Sequence, residues 1–128
     1  MSKADKRREV VLAASARRDL FVVMEWTVQE FGGRAALRYD ALIKQALKDI
    51  AADPERPGST IRPEIMIEGA RTYHISFSRT RVTGTRVKRP RHVLLYRLRS
   101  EGVIEVFRIF HDSRDLALHL PEDYSNVK

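Results

Sequence analysis

Residues 103–115, VIEVFRIFHDSRD, constrain the fold of this chain more than any other stretch. Apolar side chains occupy both alternating sets, with Ile104, Val106 and Phe110 on one and Val103, Phe107 and Ile109 on the other. A strand with one wet face alternates apolar with polar, whereas one apolar on both sets has neighbours covering it on both sides. The stretch is therefore expected to be a central strand. Arg108, His111, Asp112 and Arg114 interrupt or end the run, and ionisable groups so close to a core need partners or a task. They are the first candidates for function.

The elements that would pack on this strand can be read from periodicity. Residues 1–8 are too polar to pack and are expected to be an arm, and Glu9 to Ala14, EVVLAA, reads as a first, edge strand. Ser15 is placed to cap a helix whose core face is Leu20, Val23, Met24, Thr27, Val28 and Phe31, ending at Gly32-Gly33. A second helix over 34–52 carries Ala35, Tyr39, Leu42, Ile43, Ala46, Leu47 and Ile50 on one face. So short a connection implies an antiparallel hairpin. Met24, Phe31 and Tyr39 fall at core spacing, which favours packing over a cofactor site, while Phe21, Val22 and Trp26 lie off the stripe and suit a second apolar surface for a partner or a dimer.

Residues 53–60 read as a loop, and 71–78, RTYHISFS, as a strand with Tyr73, Ile75 and Phe77 facing the core. Residues 79–91 read as a long basic turn, 92–99 as another strand, and Glu101-Gly102 as a two-residue turn into the central strand. That turn sets Tyr96 opposite Phe107, Leu94 opposite Ile109, Arg97 opposite Val106 and Leu95 opposite Arg108. Phe107 then joins Tyr73, Ile75, Phe77, Leu94, Tyr96 and Ile109 beneath the helices. His74, Ser76, Arg97, Arg99 and Arg108 form an open basic face on the other side. Asp112 or Ser113 can cap a closing helix over 114–120, before a tail at 121–128.

Composition sets the function classes. With 128 residues one domain is expected over 1–128; with no cysteine there is neither a disulfide framework nor a thiolate site. No run suits a signal peptide or a bilayer span, so a cytoplasmic protein is expected. Four histidines without ligand spacing give no metal site, and no cofactor is expected. The net charge is +7, and eight basic residues between Arg79 and Arg99 (Arg79, Arg81, Arg86, Lys88, Arg89, Arg91, Arg97, Arg99) are joined by no acidic one. Such a stretch suits a polyanion or an acidic protein, or simply a solvated hairpin.

Element order and several segments, LKDIAADPERPG, GARTYHISFS, LLYRL and above all VFRIFHDSRDLALHL, resemble the RelE/ParE superfamily of toxins from type II toxin-antitoxin systems, over about residues 10–120. The resemblance implies an α+β fold, an antiparallel sheet packed against a helical hairpin in the order β-α-α-β-β-β with a short final helix. It also implies a cognate antitoxin as partner in a hetero-oligomer. RelE-like members cut messenger RNA on the ribosome, and ParE-like members are described as poisons of DNA gyrase. A nuclease needs a general base, a general acid and cations around the phosphate. His74, His111, Glu64 and Tyr124 are the candidate proton carriers, and Arg71, Arg97 and Arg108 the cations. His111, Arg108 and Arg71 head that set. His111 also has a structural reading, which is the one favoured: bonded to the backbone at a strand end or paired with Asp112 or Asp115. The ending HDSRD lacks the carboxy-terminal aromatic that several RelE-like nucleases carry directly after the strand. A ParE-like gyrase inhibitor is therefore the reading favoured, with His74, Arg97, Arg99, Arg108, Asp112 and Arg114 contacting target or antitoxin. A ribosome-dependent nuclease and a non-toxic basic binding module are the alternatives.

Overall fold

The computed structural model describes residues 8–113. Strand β1 (Val10–Leu12) leads into helix α1 (Ala14–Phe31) and helix α2 (Gly33–Ala52). Strands β2 (Ser59–Ile61) and β3 (Arg71–His74), a 3-10 helix (Ile75–Arg81), and strands β4 (His92–Leu98) and β5 (Ile104–His111) follow. One five-stranded sheet has the order β1-β5-β4-β3-β2. Its neighbours are antiparallel except β1 and β5, which run parallel with Val10 opposite Ile104. The stretch at 103–115 does supply an interior strand, with a neighbour on each side. The sheet is mixed rather than antiparallel throughout, and the added strand β2 begins in the last two residues of the expected loop at 53–60. Among the described residues no helix is long and apolar enough to cross a membrane.

Helix α1 starts one residue before Ser15. Ala13 caps it without a side-chain bond, and Ser15 is buried in the first turn, where its hydroxyl accepts a hydrogen bond from Arg18. Gly32, at φ 91°, both ends α1 and begins α2: its N–H donates to Val28 O and its carbonyl accepts from Ala36 N–H. A left-handed residue reverses the chain with no separate loop, and glycine takes that conformation without a side-chain clash. The α2 stripe packs as its spacing predicts, with Leu42, Ile43, Ala46 and Ile50 buried against Tyr73, Ile75, Leu94, Tyr96, Ile104, Val106 and Ile109. On α1 the buried stripe stops at Thr27, and Val28 and Phe31 stand 49% and 65% exposed in its last turns.

The β4–β5 register holds at one end and slips at the other. Arg99 N–H donates to Val103 O at 2.8 Å and Gly102 N–H to Arg99 O at 2.9 Å, so the loop is Ser100-Glu101-Gly102, three residues, with Gly102 at φ 85°. Tyr96 therefore faces Val106 and Arg97 faces Glu105; a bulge at Phe107 then restores Leu95 opposite Arg108 and Leu94 opposite Ile109. The extra residue puts Phe107 on the other side of the sheet. There it packs with Leu95 and Phe110 against Ile65, Ile67 and Ala70. Residues 62–70 form the cover, closed on themselves by Arg62 N–H to Ala70 O at 2.8 Å. The far face is thus apolar and covered, not open and basic.

The strand at 71–78 is also shorter than its alternation suggests. After His74 the chain turns into the 3-10 helix, and Phe77 is half exposed. Asp49, 2% exposed near the end of α2, holds that turn: it accepts from Ser78 Oγ at 2.6 Å, Arg81 Nε at 2.9 Å and Gln45 Nε2 at 2.9 Å. A buried carboxylate is tolerable because its oxygens are so fully occupied. Residues 79–91 are expected as a long basic turn; their first part instead completes the 3-10 helix and is tied to the helical layer by this group.

Candidate functional site

The ionisable residues that end β5 meet those that end β3 and begin β4. His92 faces His111 in the register, and their rings meet edge to face with centroids 5.5 Å apart. His74 Nδ1 accepts from Ser76 N–H, so its Nε2 carries the proton and donates to Asp112 at 3.0 Å. Arg91 grips the same carboxylate through Nε and Nη2 at 2.8–3.1 Å. The Arg91 bonds hold the Asp112 carboxyl well below the usual carboxylate range, with His74 adding to them. Tyr39 accepts from Arg91 N–H at 3.0 Å, and its hydroxyl shares a hydrogen bond of 2.7 Å with His92 Nδ1. Burial, reinforced by the neighbouring His111, pushes the His92 imidazole down to about 4, and burial raises the Tyr39 hydroxyl. His111 Nδ1 accepts from Ser113 N–H at 3.1 Å.

Beside this cluster a cleft of about 200 Å³ is lined by Asp19, Val22, Val23, His92, Arg108, Ile109, Phe110 and His111. Arg108 shares it with His111, but its Nε and Nη2 bond Asp19 at 2.6 and 3.0 Å. Asp19 also accepts from Ile109 N–H at 2.9 Å, on the length of β5 beyond β1. Among the described residues, each arginine of the site is thus matched by a carboxylate, Arg108 by Asp19 and Arg91 by Asp112. Such pairs fix a strand end well and leave little net charge to attract a phosphate.

The other expected site residues are dispersed. Arg71 sits opposite Tyr96, four β4 positions from the pair His92–His111, a distance of about 13 Å along a strand. It donates to Ser59 Oγ at 2.7 Å. Arg97 pairs with Glu105 and lies over the Phe107 ring, and Arg99 pairs with Glu101, both beside a second cleft of about 450 Å³. Glu64 is exposed and pairs with Arg62. Of the arm only Arg8 is described, bonded to the carbonyls of Ala51 and Ala52. Arg114, Tyr124, the closing helix at 114–120 and the tail at 121–128 lie outside the described residues. Among the described residues no group of His, Asp and Glu could hold a metal ion.

Sequence reasoning missed Tyr39, Asp19 and Asp49, and named His92 only as one of four histidines. An acidic residue on an otherwise apolar helical stripe was the available signal for Asp49. Only the folded chain brings Tyr39 to His92. The second apolar surface of α1 is present: Phe21, Val22 and Trp26 are 66%, 59% and 52% exposed, and the Trp26 and Phe31 rings pack edge to face.

A family model described as ParE toxin of type II toxin-antitoxin system, parDE, matches residues 10–116. Among solved structures, the chain is similar to the chromosomal ParDE toxin-antitoxin system from P. aeruginosa, with a TM-score of 0.59 and 18% identity over 82% of this chain and 96% of that one. It is also similar to the toxin-antitoxin complex RelBE2 from Mycobacterium tuberculosis, with a TM-score of 0.48 and 21% identity over 83% and 99%. No curated protein matches.

Proposed function

The chain belongs to the ParE toxin family of type II toxin-antitoxin systems, and from that premise we propose that it is a cytoplasmic inhibitor of DNA gyrase, neutralised by a cognate antitoxin. It acts by binding rather than by cutting a substrate. The observation that carries this reading is the state of the strand-end cations. A ribonuclease site would need positive charge facing the phosphate, yet Arg91 and Arg108 are committed to Asp112 and Asp19. Arg71 stands apart from His111, so the three foremost nuclease candidates do not converge.

The antitoxin reading is supported by the similar fold found in the P. aeruginosa ParDE toxin-antitoxin system and by two properties of this chain. Its charge of +7 suits an acidic partner, and the exposed Phe21, Val22 and Trp26 offer apolar anchors. Trp26 is the chain's one tryptophan. Its emission should move to the blue when the protein product of the adjacent reading frame binds, if that product covers α1.

One observation favours a second reading, ribosome-dependent cleavage of messenger RNA: Arg108, His92 and His111 do line one cleft. Two reconstituted reactions separate the two. The expected result is loss of gyrase supercoiling with message left intact on programmed ribosomes. Message cut only when ribosomes are present, with supercoiling unaffected, would overturn the gyrase reading and make His111 the first residue to replace.

A further inference from the structure

The eight basic residues between Arg79 and Arg99 divide into two groups. Four are neutralised, Arg81 by Asp49, Arg91 by Asp112, Arg97 by Glu105 and Arg99 by Glu101. The other four have no ion-pair partner among the described residues: Arg79, in the last turn of the 3-10 helix, and Arg86, Lys88 and Arg89, in the connection from that helix to β4. Arg79 and Arg86 donate to the main-chain oxygens of Val87 and Thr80, bonds that leave their charge uncompensated.

This connection is held in place. Arg81 anchors its start to Asp49, Arg91 anchors its end to Asp112 and Tyr39, and Val82 and Val87 pack against the main core between them. Its exposed residues, Thr83, Thr85, Arg86, Lys88 and Arg89 among them, are polar or glycine. Protein interfaces rest on buried apolar and aromatic anchors and are depleted in lysine. Phosphate contacts need only cations, hydroxyls and N–H groups. No aromatic ring is present in 79–91 on which an unpaired base could stack.

We propose that residues 79–89 form an arm that grips the phosphate backbone of duplex DNA without reading its sequence. Anchoring at both ends lowers the ordering cost of binding. The proposal does not rest on gyrase as target, because the chemistry concerns the backbone alone.

The test is fluorescence anisotropy of the full chain with two labelled duplexes of unrelated sequence, titrated with salt. Arg86, Lys88 and Arg89 together give an expected slope of log affinity against log salt of about −2.7 or steeper, a loss of about 40-fold between 50 and 200 mM, alike for both duplexes. The variant carrying Arg86→Gln, Lys88→Gln and Arg89→Gln should lose about 2.7 of that slope. A control with Arg17→Gln, Arg34→Gln and Lys48→Gln changes the charge equally and should keep most of it. Thermal unfolding of both variants like the wild type establishes that any difference is one of binding. No binding at 50 mM salt, equal flattening in both variants, an unchanged slope in the arm variant, or tighter binding to single strands or polyglutamate than to duplex would each overturn the proposal. Supercoiling measured separately keeps any such failure distinct from failure of the gyrase reading.

Discussion

At the scale of single residues, the strongest constraints are carboxylates that the helices present to the sheet layer. Asp49 holds Ser78, Arg81 and Gln45 from a site only 2% exposed, so Asp49→Asn removes the counter-charge while retaining shape. A loss of about 2–4 kcal/mol in urea unfolding is expected; a change below 0.5, on the order of a surface substitution, would mean the group is not an anchor. His92 gives a prediction in pH. Its imidazole is pushed down to about 4 when folded against an ordinary 6.5, so between those values the unfolded chain binds the extra proton. Stability should therefore be unaffected by His92 above about 6.5, fall by up to about 3 kcal/mol as pH drops to about 4, and level off below. Asp112, held down by Arg91, adds its own loss only below about 4, where unfolded carboxylates protonate. His92→Gln should flatten the upper window alone, and an unchanged slope there would remove the buried neutral ring as its cause.

At the scale of elements, both helices and β1, β4 and β5 were legible because periods of 3.6 and 2 are strong signals over such lengths. What was not legible came in steps of one residue. A three-residue loop in place of two moved Tyr96 to Val106, and the bulge at Phe107 moved Leu95 back to Arg108. Two compensating slips leave no mark on an apolar run in which both faces are apolar. The same ambiguity hid the second core, because nothing in residues 62–70 repeats often enough to announce a cover. Phe107→Ala should cost about 3–5 kcal/mol. The accompanying loss of amide protection should be greatest at Ile65, Ile67 and Ala70, which pack on that ring's side of the sheet. Protection lost first in α1 and α2 would return Phe107 to the helical side.

At the scale of the molecule, the described surface separates by chemistry: apolar side chains on α1, paired charges at the strand ends, and, between the 3-10 helix and β4, the cations Arg86, Lys88 and Arg89, which have no ion-pair partner among the described residues. The candidate site was only partly readable, since sequence shows where ionisable residues fall but not which of them neutralise one another. If the strand-end cluster is a structural lock, His111→Ala should leave inhibition of gyrase supercoiling within about two-fold of the wild type. A loss of inhibition beyond ten-fold, with the melting curve unchanged, would put the residue in the target contact. The parallel pairing of β1 with β5 has a further consequence. Val10 finds Ile104, and Leu12 finds Val106, across 94 residues of chain. At about 5–20 residues per second, translation leaves the first strand unpaired for roughly 5–19 seconds. A ribosome that has reached residue 103 carries an unfinished sheet, and a nascent chain stalled there has all of its first strand and nothing for it to pair with.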